Sequence, residues 1–197
     1  MRQGSDCPGR CCPTLELPLN KKVPPAVSFL SRLFGPREDD RAYVRPLWHR
    51  TVELARDRRW YADCGVADSV AGRFDAITLT MVLVLLRLER VEALIPASVH
   101  MTELFVSDMD GQLRQSGVGD LSVGKNIGKL VSVVGGRLGA LREALPLGVD
   151  AVSVVIARNI TMNDGADPAP AAALAIAFAD KLAATSDEDL MAARIAL

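Results

Sequence analysis

The sequence reads as an all-α, single-domain helical bundle of about six to eight helices around a central hydrophobic helix, and three observations carry that reading. A chain of 197 residues, 49% hydrophobic and 24% charged, can bury one sizeable core, and its length asks for no second one. Aromatic residues are only 5% of it, so Val, Ile, Leu and Ala carry the apolar content, which suits helix packing better than aromatic-rich sheets. Apolar residues recur at helical spacing along most of the chain, with no alternating strand pattern and no internal repeat.

Residues 1–25 contain Pro8, Pro13, Pro18, Pro24 and Pro25 with no apolar period, the composition of a disordered tail, so the helical domain is expected over 26–197. Its first element is a short amphipathic docking helix from Ala26 to Phe34, with Val27, Leu30 and Phe34 on one side and Gly35-Pro36 as the stop. The next helix is expected from about Asp40 to about Arg59. Pro46 is tolerated in or near its first turn, and Val44, Trp48, Val52 and Ala55 repeat at helical spacing.

Asp68 is the expected cap of the most hydrophobic stretch, Phe74 to Leu88. Val70, Phe74, Ile77, Met81, Val84 and Leu88 form one stripe, with Leu79, Leu83 and Leu86 opposite. A helix apolar nearly all round belongs in the middle of a core. Its uncharged run, bounded by Asp75 and Arg87, falls well short of the ~20 residues that a bilayer span requires.

Helix breakers around Pro96 lead into a segment from Ser98 to Ser116, closed by Gly117. Met101, Phe105, Met109 and Leu113 are expected to face inward, and Glu103, Ser107, Asp110 and Arg114 outward. Asp108 falls at the apolar edge, where a carboxylate requires a partner such as Arg73 or Arg87. After the Gly117-Val118-Gly119 turn, Ser122 is the expected cap of a long helix. Its stripe is Val123, Ile127, Leu130, Val134, Leu138, Leu141 and Leu145, with Lys125 and Lys129 on the other side.

That long helix also contains Gly124, Gly128, Gly135, Gly136 and Gly139, each costing about 1 kcal/mol of helix propensity against alanine. Two explanations compete: close backbone packing against a neighbouring helix of the same domain, or a shallow surface on which another protein's helix lies. The chain finishes with the stretch 150–161, a polar loop through Asp167, an alanine-rich helix from about Pro168 to Ala184, and a short helix begun at Ser186.

A formal net charge of -1 is too balanced for direct nucleic-acid binding without a localised basic face. Arg56, Arg58 and Arg59 cluster, but beside Glu53 and Asp57, as at a solvated helix end. Cys7, Cys11, Cys12 and Cys64 lack metal-ligand spacing, and His49 and His100 have no cysteine nearby, so no metal and no cofactor is expected. Unpatterned thiols and the lack of a secretory leader lead to the expectation of a cytoplasmic chain.

Two strings mimic catalytic motifs. LFVSDMDGQL looks like the nucleophile motif of haloacid-dehalogenase phosphatases, with Asp108 and Asp110 as magnesium ligands, but that chemistry needs a strand ending at Asp108 and the flanking period is helical. Gly119-DLSV-Gly124-Lys125-Asn126 has the glycine and lysine spacing of a P-loop, with Asn126 in place of the magnesium-binding Ser or Thr and no buried strand before it. No Ser-His or Cys-His pairing is present to propose, and a non-enzymatic role is expected.

The string DMDGQLRQSGVGDLSVGK resembles the signature of the ubiquinol-cytochrome c chaperone family. WYADCGVADSVAGRFDAITL resembles its central segment and VSFLSRLFG its usual bacterial start, so the resemblance runs from about Val27 to Leu197. Thr80 stands where a histidine is expected, and Gly128 where a lysine or other polar residue is common. The resemblance implies an assembly factor that holds newly made cytochrome b for respiratory complex III, without a cofactor. It further implies work near the ribosome or with a small partner chaperone, peripheral to the inner membrane (on the matrix side in a eukaryote). Carried over onto the matching motif, it implies Asp110, Arg114, Asp120, Lys125 and Lys129 as partner contacts, Gly117 and Gly119 as the turn between two helices, and Asp108 as either a partner contact or an internal salt bridge. A magnesium-dependent phosphatase and a structural subunit of another complex are the alternatives.

Overall fold

The computed structural model describes residues 39–115 and 120–197, with side chains over 39–111 and 128–197. The tail 1–25, the helix expected from Ala26 to Phe34 and the turn at Gly117 and Gly119 lie outside the described residues. Among the described residues eight α-helices follow one another: α1 Arg45–Ala55, α2 Arg58–Ala62, α3 Val70–Leu88, α4 Ile95–Gln115, α5 Asp120–Ala144, α6 Val149–Asn159, α7 Ala169–Ala184 and α8 Asp187–Met191. Short 3-10 turns lead into α1, α4 and α6, and the fold is all-α. Among the described residues the one β feature is a single bridge between Val66 and Met162.

The helix predicted to be central is central. Thirteen residues of α3 are buried, on every side of the helix, and it packs against α1, α4, α5 and α7. Trp48, Trp60, Phe105 and Phe178 are the largest fully buried side chains, and they come from four different helices. Thr80, in place of the expected histidine, is fully buried and donates its hydroxyl to the Ala76 carbonyl at 2.8 Å, so it leaves no orphaned polar group. No helix among the described residues is long and apolar enough to cross a membrane.

Several boundaries differ from expectation for local reasons. The helix expected through Arg59 breaks after Ala55, because Asp57 caps a new helix by accepting from the Arg59 amide at 2.9 Å. Aromatic side chains of α2 then satisfy the carbonyls at the end of α1: Trp60 Nε1 donates to Leu54 O at 3.2 Å and the Tyr61 hydroxyl to Ala55 O at 2.8 Å. Ser69, not Asp68, caps α3 by accepting from the Gly72 amide at 3.1 Å, while Asp68 pairs with Arg73 at 2.6 Å. Gly72 is required there, since a Cβ would sit 2.0 Å from the Ala67 carbonyl oxygen. Val70, expected on the buried stripe, is 89% exposed because the first turn of α3 projects beyond the core. α4 begins at Ile95, earlier than Ser98, with Pro96 accommodated in the first turn, and α5 begins at Asp120, two residues before Ser122.

Two buried arginines tie α3 to the rest. Arg137 of α5 pairs with Asp75 of α3 at 2.6 Å and also donates to the Thr78 hydroxyl and the Asn159 carbonyl. Asp75 in turn accepts from the Thr161 amide at 2.9 Å and hydroxyl at 2.7 Å. Arg87, at the other end of α3, donates to the carbonyls of Leu182 and Thr185 and pairs with Asp187 at 2.6 Å.

Arg137→Ala is expected to cost about 3–5 kcal/mol in urea unfolding, since it strands the Asp75 carboxylate in a buried site. Arg73→Ala, which breaks only an exposed pair, should cost under about 1 kcal/mol; similar losses for the two would contradict this account. Cys64 is buried, and burial, followed by the neighbouring Asp63 charge, pushes its thiol above the usual range. In a Cys7→Ser/Cys11→Ser/Cys12→Ser chain, Cys64 should therefore resist maleimide at mildly alkaline pH until denaturant is added; prompt labelling of the folded chain would refute this.

Candidate partner-binding surface

The site begins with the glycines of α5. Val134, Arg137, Leu141 and Ala144 are its buried positions, spaced three or four residues apart so that one narrow stripe faces α3. Gly128, Gly135 and Gly136 are exposed and Gly139 is half-buried. A Cβ built on any of the four meets nothing within 4 Å among the described residues. Close packing among the described residues therefore does not explain them. Together with exposed Ser132 they form a flat outer face, flanked by Val131 and Val133, which are 46% and 37% exposed.

A groove of about 380 Å³ adjoins this face, between α4, α5 and the 3-10 entry to α1. Val106 and Val131 give it an apolar floor, and Arg41, Glu103 and Asp110 stand around it with Thr102 and Ser107. The Arg41 guanidinium, hydrogen-bonded to Asp39, holds that carboxyl below the usual carboxylate range. A shallow apolar channel with charged edges next to a glycine-rich helix face suits an apolar helix that approaches the backbone closely.

The sequence-derived site residues fall unevenly on this surface. Asp110 lines the groove, and Lys129 is exposed next to Gly128 on α5. Arg114 lies on α4, and Asp120 and Lys125 lie on α5, helices that both border the groove. Gly117 and Gly119 lie outside the described residues.

Asp108 corrects the expectation of an arginine partner. Its Oδ2 accepts from Trp48 Nε1 of α1 at 2.6 Å, while Arg73 is held by Asp68 and Arg87 by Asp187. The indole satisfies one oxygen without neutralising the charge, and the rest of the carboxylate is exposed. Arg41, Val106 and Val131 went unnoticed in the sequence. The available signal was Val131 and Val133, two β-branched residues lying off the buried stripe of a glycine-rich helix.

The catalytic look-alikes lack their frames. Asp108 and Asp110 both lie inside α4, so no strand delivers them as a dehalogenase-type nucleophile motif requires. Residues 120–125 are the start of α5, so the lysine of the P-loop-like string sits on a helix that already includes the intervening residues.

The crystal structure of the Cbp3 homolog from Brucella abortus is similar to this chain, with a TM-score of 0.69 and 32% sequence identity over 79% of this chain and 88% of that one. No curated protein matches. The pattern of the ubiquinol-cytochrome C chaperone family matches residues 62–197, which span α3 to α8 and the whole α4–α5 surface, and the chain belongs to that family.

Proposed function

We propose that this chain is a non-enzymatic assembly factor for ubiquinol-cytochrome c reductase that holds newly made cytochrome b on the α4–α5 surface. The observation that carries the reading is the outer face of α5, where four glycines meet no other part of the described chain. Each costs about 1 kcal/mol of helix propensity that no contact among the described residues recovers, and a partner that needs the backbone exposed supplies the offset. Apolar transmembrane helices associate through small residues at close backbone approach, and a newly made membrane subunit supplies such helices. Asp108, Asp110, Arg114, Asp120, Lys125 and Lys129 are the charged contacts that bind the client's polar flanks, and Gly117 and Gly119 set the turn between α4 and α5. The chain works from the aqueous side, peripheral to the membrane that receives the client.

Three outcomes check this. Gly135→Ala should raise stability by up to about 1 kcal/mol in urea unfolding, because its Cβ enters open space; a loss of stability would return the glycines to an internal packing role. Gly135→Leu/Gly139→Leu should fold normally yet retain about tenfold less cytochrome b when tagged protein is captured from its own cells and the eluate is read by mass spectrometry. Lys125→Glu/Lys129→Glu should lose the client to a similar degree. Absence of any respiratory-complex subunit from the wild-type eluate would overturn the assignment.

A further inference from the structure

A second cavity shares no residue with the α4–α5 surface. It has a volume of about 400 Å³ and is lined by Arg56 at the end of α1, Arg58, Tyr61 and Ala62 of α2, Asp68 of the following loop and Arg73 of α3. That volume lies within the range of small-ligand sites. Its lining holds three arginines and one carboxylate. Asp68 is engaged by Arg73 at 2.6 Å, whereas Arg56 and Arg58 form no ion pair among the described residues. The neighbouring acids are occupied, Asp57 by Arg59 and Glu53 by Arg50.

Tyr61 forms a wall of the cavity, its hydroxyl proton committed to the Ala55 carbonyl at 2.8 Å. Burial raises the Tyr61 phenol above its ordinary value, with Arg73 opposing that rise, Asp68 adding to it and Arg56 opposing it, so the ring lies within reach of the cavity's charged groups.

We propose that this cavity is a binding site for a phosphate group. Three arginines less one aspartate leave two positive charges, enough for the single charge of a phosphodiester headgroup or the one to two charges of a free phosphate, and guanidinium forks suit the phosphate oxygens geometrically. The phosphate comes either from a small soluble phosphate or from a phospholipid headgroup. Val70 bears on the choice: it lies three residues before Arg73, on the same face of α3, and is 89% exposed. An uncovered valine beside the cavity has a partner in a bilayer and none in a free anion.

The test uses the full chain in two arms: calorimetric titration with inorganic phosphate, and co-sedimentation with phosphatidylcholine vesicles with and without phosphatidylglycerol. The expected result is saturable binding in at least one arm, weakened about fivefold in Arg58→Gln and about thirtyfold in Arg56→Gln/Arg58→Gln. Both side chains are exposed, so the variants fold. Arg90→Gln, which removes an equally exposed charge beyond the opposite end of α3, should bind as wild type. Binding of inorganic phosphate identifies a soluble ligand. Binding only to phosphatidylglycerol vesicles, weakened further by Val70→Ser, identifies a headgroup. No saturable binding in either arm, or equal losses in Arg58→Gln and Arg90→Gln, would overturn the site.

Discussion

The fold depends on one buried ion pair, Asp75 with Arg137. Asp75 interrupts an otherwise apolar helix and Arg137 interrupts the buried stripe of another. Each would be costly alone, and together with Thr78, Asn159 and Thr161 they satisfy most of one another's hydrogen-bonding capacity. The pair fixes the rotation of α5 against α3 and binds the end of α6 to the same point. Apolar contacts alone set a helix's facing direction loosely, because Leu and Val tolerate sliding; a buried arginine held at once by a carboxylate, a hydroxyl and a carbonyl does not.

That rotation determines the outer surface. With Val134, Arg137 and Leu141 turned toward the core, the helical repeat of 100° per residue sends Gly128, Ser132, Gly135, Gly136 and Gly139 to the opposite side of the helix. The same constraint that stabilises the bundle therefore presents a glycine-rich strip of helix. The groove beside it belongs to the same geometry, since Val131 precedes Val134 by one helical turn and meets Val106 across the α4–α5 seam.

Arg87 performs the corresponding task at the other end of α3. By donating to the carbonyls of Leu182 and Thr185 it completes the C-terminus of α7, whose last carbonyls have no partners within the helix. Its pairing with Asp187 holds the first turn of α8. The central helix is thus clamped at both ends to the C-terminal half of the chain, and α4 and α5 both pack against it. The arginine-lined cavity sits on the remaining side, where α1, α2 and the start of α3 meet. The two surfaces are independent in their residues, so each can be altered without dismantling the other.

The sequence by itself determined the helical class, the central position of the stretch through Leu88, the inward faces of α4 and α5, and membership in the chaperone family. These are legible because helical period and unbroken apolarity are local properties, and because the family signature is contiguous in the chain. Only the tertiary structure decided which way the glycines point, that Asp108 is held by Trp48 from 60 residues away, and that Asp75 and Arg137, 62 residues apart, form the central pair. A period shows which residues share a face but not what lies against that face. Partners of buried charges and the openness of a glycine strip depend on how helices cross, and that is set by the summed packing of the whole core.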